Sequence, residues 1–248
     1  MMSGEPELPL LRIGALTKRF GGFVALDNVS VDIRAGERFG LIGPNGSGKT
    51  TLINCISGAF RTEPGTVLFH GEDITRLPAH LRTRRGIARS FQIPRPFKSM
   101  TVAENLMVAL DFATVLGQFV PAAQRRDTVM SILAQTGLTS KADLSTTGLS
   151  QVELRKMELA RAMATHPKLL ISDEAMAGLS TSEVDEVLDL LIKLAGEGIT
   201  IIMIEHIMQA VMRFSERVMC LDAGKIIAIG APAEVMANQR VQEAYLGT

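Results

Sequence analysis

Eight consecutive residues have the side chains and the spacing of a phosphate-binding loop. The pattern is Gly, four intervening residues, then Gly-Lys-Thr, and it is formed by Gly43, Pro44, Asn45, Gly46, Ser47, Gly48, Lys49 and Thr50. The glycines lack Cβ atoms, so the backbone can turn at positive φ and direct its N–H groups at phosphate oxygens. Lys49 would place its ammonium against the β- and γ-phosphates, and the Thr50 hydroxyl would bind Mg²⁺. We therefore expect ATP and Mg²⁺ to bind here, with Thr51 completing the nucleotide-binding set.

A pair of carboxylates follows an apolar segment later in the chain. Residues 169–172 are Leu-Leu-Ile-Ser, and Asp173 and Glu174 come directly after them. In an open α/β sheet, ligands gather at the carboxyl ends of the strands. From there Asp173 could reach the coordination shell of Mg²⁺, and Glu174 could polarise an attacking water. Glu174 and Lys49 are therefore predicted catalytic residues.

Short strands and helices must position these groups. An apolar run at residues 38–42 precedes the loop and a helical pattern at 52–60 follows it, which predicts a strand–loop–helix unit. Two further apolar runs, 168–172 and 200–204, are typical of buried strands. Strand-forming residues also alternate or cluster at 10–16, 29–33 and 67–69. Strands that alternate with helices predict an α/β fold with a largely parallel sheet.

The middle of the chain has helical periodicity. We expect residues 77–148 to form a mostly helical insert that continues into a helix over 151–165. The longer helices of this insert are predicted at 102–116 and 124–136. The remaining predicted elements are a helix at 183–195 capped by Ser182, a helix at 206–214 and a hairpin of 218–221 with 226–229. We expect all 248 residues to form a single domain.

Charge and hydropathy argue against two classes of function. Lys plus Arg and Asp plus Glu each number 26, so the formal net charge is zero, whereas sequence-independent binding of nucleic acid needs a basic excess. The longest apolar runs, such as 199–204, are far shorter than the roughly 20 residues of a membrane span. Cys55 and Cys220 lack metal-ligand spacing and are expected to be reduced core thiols. We expect a cytoplasmic protein that contacts a membrane only through a partner and has no nucleic-acid partner.

Five ordered motifs resemble those of the ATP-binding cassette (ABC) family. After the phosphate loop come Ser90-Phe91-Gln92, Leu149 to Glu153, Asp173-Glu174, Ala177 to Ser180 and Glu205-His206, in the order that this family uses. The resemblance implies a P-loop NTPase core with a parallel sheet, an N-terminal antiparallel β-subdomain and an inserted helical subdomain. It also implies that the protein hydrolyses ATP.

Roles for individual residues follow from the same resemblance. Phe20 would stack on adenine. Gln92 would contact the γ-phosphate and Mg²⁺ and report their presence to a permease, while His206 would hold the γ-phosphate and the attacking water. The Mg²⁺ ligands would be Thr50, Gln92 and Asp173. The family signature falls on Ser150, Gln151, Val152 and Glu153, which would face the ATP of a second subunit in a head-to-tail dimer.

Further segments are similar to the ATPase subunits of branched-chain amino acid importers. They are residues 20–26, 91–97, 100–106, 204–206 and 244–247. This similarity implies import, with a second ABC ATPase subunit, transmembrane permease subunits and, indirectly, a periplasmic binding protein as partners at the cytoplasmic face of the inner membrane. Urea or amide import and lipid or lipopolysaccharide export remain alternatives. So does a soluble P-loop ATPase without a transport role, although we find no guanine-reading Asn-Lys-x-Asp stretch of a GTPase.

The signature and the loop after Glu174 depart from the family pattern. Val152 stands where the family has Gly, Ala175 where it has Pro, and Ser180 where it has Asp. Valine adds a β-branched side chain and resists positive φ, so it would hold the backbone away from a partner's γ-phosphate. We therefore expect an asymmetric heterodimer in which this chain's own loop hydrolyses ATP and the composite site built on Val152 is weak. The alternative is that Val152 is tolerated.

Overall fold

The described residues contain ten strands, which form two sheets. The computed structural model describes residues 8–62, 64–91, 94–112 and 120–246. Its strands are β1 (Leu11–Phe20), β2 (Phe23–Ile33), β3 (Arg38–Ile42), β4 (Thr66–Phe69), β5 (Glu72–Asp73), β6 (Ile87–Ser90), β7 (Leu169–Asp173), β8 (Thr200–Ile204), β9 (Arg217–Asp222) and β10 (Lys225–Gly230). The larger sheet has the order β10-β9-β3-β8-β7-β6, and the smaller has the order β2-β1-β4-β5.

The larger sheet is parallel except for its edge strand β10, which runs antiparallel to β9. Every residue of β7 and β8 is buried. Strands of a parallel sheet are covered on both faces, which explains why these two have continuous apolar runs in place of an alternating pattern. The predicted α/β fold with a largely parallel sheet is confirmed.

The smaller sheet is the predicted N-terminal antiparallel β-subdomain. Strand β1 pairs with β2 and with β4, and the turn of its first hairpin is Gly21-Gly22. The two long strands run beyond the predicted ranges, because β1 continues to Phe20 and β2 starts at Phe23. Register shifts interrupt the β1–β2 pairing after Ile13, which breaks the simple alternation on which a sequence prediction depends.

Besides three short 3-10 helices, nine α-helices lie in the described part of the chain. They are α1 (Lys49–Ser57), α2 (Ala79–Arg84), α3 (Val102–Phe112), α4 (Arg125–Gln135), α5 (Gln151–Met163), α6 (Thr181–Gly196), α7 (Met208–Phe214), α8 (Pro232–Ala237) and α9 (Gln239–Leu246). Helices α3, α4 and α5 pack on one another around buried residues that include Val102, Leu106, Val129, Leu133 and Met157. These three helices form the inserted helical subdomain that the resemblance implied. None of the described helices is long and apolar enough to cross a membrane.

Several details of the predicted elements differ from the structure. Residues 77–148 were expected to be mostly helical, but Ile87–Ser90 form β6 and pair with β7 in the parallel sheet. The N-cap of α6 is Ser180 and not Ser182, because the helix begins at Thr181; the N–H and the hydroxyl of Ser180 both donate to the Glu183 carboxylate. Helix α7 begins at Met208, two residues later than predicted.

One buried arginine of α2 forms hydrogen bonds to the end of α1 and to the segment that precedes α2. The Arg82 guanidinium is buried and donates to four backbone carbonyls, at 2.9 Å to Leu77, 2.7 Å to Cys55, 2.8 Å to Ile56 and 2.8 Å to Thr75. Two of these carbonyls belong to the last turn of α1, where a helix leaves its C=O groups unpaired and where its dipole favours a positive charge. Arg82 therefore anchors the helix that begins at Lys49.

Replacement of Arg82 should destabilise the whole protein. We expect Arg82→Met to lower the free energy of unfolding by about 3 kcal/mol, because it leaves four buried carbonyls without their donor. Thermal or denaturant unfolding measures the loss. The matched control is Arg12→Met, which breaks an exposed ion pair with Asp32 and should change stability far less. Equal unfolding temperatures for the two variants would contradict the assigned role of Arg82.

Candidate functional site

The phosphate-binding loop leaves the central strand β3 at the carboxyl edge of the parallel sheet. In this edge Leu41 pairs with Ile204 of β8, and Ile42 pairs with Cys220 of β9. The three loop glycines have positive φ, as the sequence predicted. At Gly43 a Cβ atom would lie 2.1 Å from the carbonyl oxygen of Leu221, so no other residue fits without a shift of the backbone.

Lys49 is the first residue of α1 and folds back over the loop. Its ammonium donates to the carbonyl oxygens of Gly43 at 2.7 Å and Pro44 at 3.0 Å. Burial lowers the pKa of Lys49, while the negative charges of Glu174 and Asp173 act in the opposite direction. The lysine thus already lies over the loop in which it was predicted to meet phosphate, within the field of both acids.

The loop is braced from the β9–β10 hairpin. The Gly224 N–H in the turn of that hairpin donates to the Ser47 carbonyl at 2.9 Å, and the Gly224 carbonyl accepts from the Asp27 N–H at 2.9 Å. The Ser47 hydroxyl is buried and has no hydrogen-bond partner within the described residues. A buried hydroxyl without a partner is uncommon and marks a place where a ligand oxygen could be accommodated.

Asp173 and Glu174 end strand β7 beside the loop. Thr50, Asp173 and Glu174 line one cavity of about 720 Å³. Glu174 has φ 46°, which is unusual for a residue with a side chain, and its N–H donates to the Ile204 carbonyl at 2.9 Å. The strand-end placement that the sequence predicted for the two carboxylates is therefore found.

Sequence reasoning missed the cation that binds Asp173. Arg89 of β6 donates to the Asp173 carboxylate at 2.6 Å and to the Asn54 side-chain oxygen at 2.6 Å. Both side chains of the ion pair are nearly buried. The signal was hidden because β6 was not recognised as a strand, and only its pairing with β7 brings residues 89 and 173 together.

The donor set fits a magnesium ion that arrives with a nucleotide. The Thr50 hydroxyl and the Asp173 carboxylate are hard oxygen ligands, which Mg²⁺ prefers. No cluster of three or more His, Cys, Asp or Glu side chains suited to a metal occurs in the described residues. Mg²⁺ is commonly held by one or two protein groups together with phosphates and water, so this short donor list is what such a site requires. The third predicted ligand, Gln92, lies outside the described residues.

The predicted adenine-stacking residue lies at the tip of the first hairpin. Phe20 is 45% exposed and meets Phe60 edge-to-face, with ring centroids 5.4 Å apart. The Lys18 ammonium lies 5.2 Å from the centre of the Phe20 ring. An aromatic ring that is held on one side and open to solvent has the form required for stacking on a flat base.

The signature segment forms the start of helix α5, where Ser150 and Glu153 form a capping box. The Ser150 hydroxyl accepts from the Glu153 N–H at 3.3 Å, and the Ser150 N–H donates to the Glu153 carboxylate at 2.8 Å. The hydrogen bond from the Ser150 N–H lowers the pKa of Glu153, and Lys141 lies 3.2 Å from the same carboxylate. Gln151 is the first residue of the helix and precedes Val152.

Residue 152 does not need the positive φ that a valine would resist, contrary to expectation. Val152 lies in the first turn of α5 and is not among the residues with positive φ, so the valine causes no backbone strain there. Its side chain is half-buried and packs against the hydrophobic cluster that α3, α4, α5 and α6 form with strands β7 and β8. The valine still has a steric effect, because its side chain occupies space at the start of α5 that a glycine would leave open.

His206 follows strand β8 and is exposed, whereas its neighbour Glu205 is buried. Glu205, which sequence reasoning did not single out, accepts from the Met176 N–H at 3.0 Å and so ties the end of β8 to the loop after β7. Burial raises the pKa of Glu205 to about 7, an effect to which the charge of Glu174 adds and which Arg155 opposes. The sequence alone does not bring Glu205 near Glu174. Their proximity can be predicted only when β7 and β8 are known to end at the same edge of the sheet.

Comparisons with known proteins agree with this geometry. A family model described as ABC transporter matches residues 26–177, and one described as Branched-chain amino acid ATP-binding cassette transporter matches residues 225–248. The high-affinity branched-chain amino acid transport ATP-binding protein BraF of Pseudomonas aeruginosa is 37% identical, over 96% of this chain and 98% of its own. The lipopolysaccharide export system ATP-binding protein LptB of Haemophilus influenzae is 33% identical, over 97% of this chain and 98% of its own.

A solved structure matches along nearly the whole chain. It is the ADP conformation of MJ1267, an ATP-binding cassette of an ABC transporter, with a TM-score of 0.88 and 32% identity. The match covers 97% of this chain and 100% of that one.

The buried Glu205 should make stability depend on pH. Below its ordinary pKa of 4.5 the carboxyl is neutral in both the folded and the unfolded chain, and the folded state loses stability as pH rises from there to about 7. The Glu205→Gln side chain cannot ionise. The unfolding temperature of this variant, relative to that of the unmodified protein, should therefore rise by about 5 °C between pH 5 and pH 8. The control is Glu186→Gln, which removes an exposed carboxylate. Parallel pH profiles for the unmodified protein and Glu205→Gln would contradict the burial effect.

Proposed function

The chain belongs to the ABC transporter family, and from this premise we propose that it is the ATP-hydrolysing subunit of an importer for branched-chain or related amino acids. The observation that carries the ATPase part is the meeting of the phosphate loop, Asp173, Glu174 and His206 at one edge of the parallel sheet. The observation that favours the cargo is the match of residues 225–248 to the branched-chain amino acid transporter model.

The proposed mechanism assigns binding to the loop and chemistry to the strand ends. The loop N–H groups and the Lys49 ammonium would hold the triphosphate, exchanging the present carbonyl contacts of the lysine for phosphate oxygens. Thr50 and Asp173 would hold Mg²⁺, which supplies charge neutralisation when bound. Glu174 would orient the attacking water and accept its proton, and His206 would hydrogen-bond the γ-phosphate.

Partner contacts would use the rest of the same cavity. Its wall includes Phe91, which is 54% exposed and lies under the Arg89 guanidinium at 5.2 Å. The backbone of Arg95 is fixed from α5, because its N–H donates to Glu158 and its carbonyl accepts from Arg161. We assign this groove to the loops of transmembrane permease subunits, which in turn would receive substrate from a periplasmic binding protein at the inner membrane.

Export of lipopolysaccharide is the second candidate, because LptB matches this chain at 33% identity over nearly its full length. The C-terminal match to the amino acid transporter model favours import. Urea and amide uptake would use the same ATPase chemistry. Co-purification with the membrane partners, followed by ligand binding to the associated binding protein, separates these cargoes.

The catalytic assignment predicts a separation of hydrolysis from binding. Glu174→Gln keeps the size of the side chain but cannot accept a proton, so we expect ATP hydrolysis to fall by about 10²–10⁴-fold. The Kd for ATP should stay within about twofold of the unmodified value, because binding rests on the loop and Lys49. Hydrolysis and equilibrium binding are measured on the same preparations, with Glu186→Gln as the control. Retention of full activity by Glu174→Gln would remove this residue from the mechanism.

The partner ATPase subunit is proposed to be a different chain, which makes the two composite sites unequal. In the reconstituted heterodimer, Lys49→Ala should abolish most ATP hydrolysis, whereas the matching lysine change in the partner should remove little. Val152→Gly should raise activity at the weaker site, because it frees space at the start of α5. Equal losses from the two lysine changes, together with no gain from Val152→Gly, would support the alternative that the valine is tolerated.

A further inference from the structure

The C-terminal helix α9 contacts the phosphate-binding loop through Tyr245. The Tyr245 hydroxyl oxygen accepts a hydrogen bond from the N–H of Gly43 at 2.8 Å. Gly43 is the first residue of the loop, and the two residues are 202 positions apart in the chain. The contact therefore joins an element outside the nucleotide-binding motifs to the point where the loop leaves the sheet.

The Gly43 N–H lies where the sheet no longer provides acceptors. Strand β3 has its last partner at Ile42, which pairs with Cys220, and Gly43 follows it. Gly43 is buried, and the Leu221 carbonyl oxygen lies so close to its Cα that a side chain would meet it at 2.1 Å. A buried N–H without an acceptor costs free energy, so the phenol oxygen of Tyr245 supplies what the sheet cannot.

The packing of helix α9 against the sheet places Tyr245 next to the loop. Val241 lies one helical turn before Tyr245, on the same face, and is buried in a cluster with Ile42, Val218 and Val235. Tyr245 itself is 40% exposed, and its hydroxyl contacts the loop. Burial raises the pKa of the Tyr245 phenol, whereas the hydrogen bond from Gly43 acts in the opposite direction.

Gly43 connects Tyr245 to Lys49, because it forms a hydrogen bond with each of them. The N–H of Gly43 donates to Tyr245, and the carbonyl of Gly43 accepts from the Lys49 ammonium at 2.7 Å. Both polar groups of this residue are therefore engaged by side chains. We propose that Tyr245 is a positioning residue that fixes the Gly43 peptide and thereby holds the phosphate loop in the shape that binds nucleotide. This inference rests on the proposed nucleotide binding at the loop and extends it to α9.

Tyr245→Phe tests this role because it removes one oxygen and keeps the ring. We expect the Kd for ATP with Mg²⁺ to rise about fivefold to tenfold, since the loop must be ordered by the nucleotide itself. The maximal rate at saturating ATP should stay within about twofold, because Glu174 and His206 are untouched. The control is Arg240→Ala, which alters an exposed residue of the same helix. An unchanged Kd for Tyr245→Phe would overturn the proposal, even if its unfolding temperature fell.

The composition of the chain provides a second readout. Tyr245 is the only tyrosine and there is no tryptophan, so the near-ultraviolet absorbance of the phenol reports this residue alone. In the intact protein it should ionise above the ordinary pH for tyrosine, and Val241→Ala, which loosens α9, should move the titration back and raise the Kd for ATP. An ordinary titration in the unmodified protein, together with an unchanged Kd for ATP in Val241→Ala, would show that α9 does not hold the phenol against the loop.

The two hypotheses fail in different ways. If the unmodified protein does not bind ATP while Lys49→Ala behaves identically, the proposed function is wrong. If the unmodified protein binds ATP, Lys49→Ala does not, and Tyr245→Phe binds as tightly as the unmodified protein, only the positioning role of Tyr245 is wrong.

Discussion

The site depends on the parallel pairing of β3 between β8 and β9. Leu41 and Asp173 both lie opposite Ile204, and Ile42 lies opposite Cys220, so the strands end at the same level of the sheet. The residues that follow each strand therefore emerge together at one edge, where α/β proteins bind ligands. A shift of one residue in this register would turn the side chains to the opposite face. The hydrogen bonds that specify the fold thus also assemble the loop, the carboxylates and the histidine.

Charge is concentrated at this edge although the chain as a whole is neutral. Each buried charge there has a partner, because an isolated charge in a protein interior is expensive. Asp173 has Arg89, and Lys49 has two carbonyls and the field of Glu174. Glu205 accepts a hydrogen bond from the Met176 N–H, and its burial raises its pKa to about 7. Nucleotide binding would exchange existing contacts for new ones, which limits the rearrangement required.

Local patterns were sufficient to predict the elements that are buried and continuous. The ranges of β3 and β8 were correct because short apolar runs end at clear breaks, and the positive φ of the loop glycines follows from their lack of a Cβ. Strand β6 was missed because its four residues include Arg89 and Ser90, and only pairing with β7 makes them a strand. The Arg89–Asp173 and Gly43–Tyr245 contacts were out of reach for the same reason. They join residues 84 and 202 positions apart, so only the fold brings them together.

The departures from the family signature leave the internal structure of this chain intact. Ser150 and Glu153 satisfy each other's hydrogen bonds at the start of α5, and Val152 packs on the helical core in an ordinary helical conformation. Neither an unpaired buried polar side chain nor a residue with positive φ is found at the described start of this helix. On the proposed function, the effect of Val152 would be confined to what α5 offers to another molecule. The loop, Asp173 and Glu174, which would hydrolyse the ATP bound to this chain, are separate from the signature segment that would complete a partner's site. The two abilities would therefore be able to vary independently.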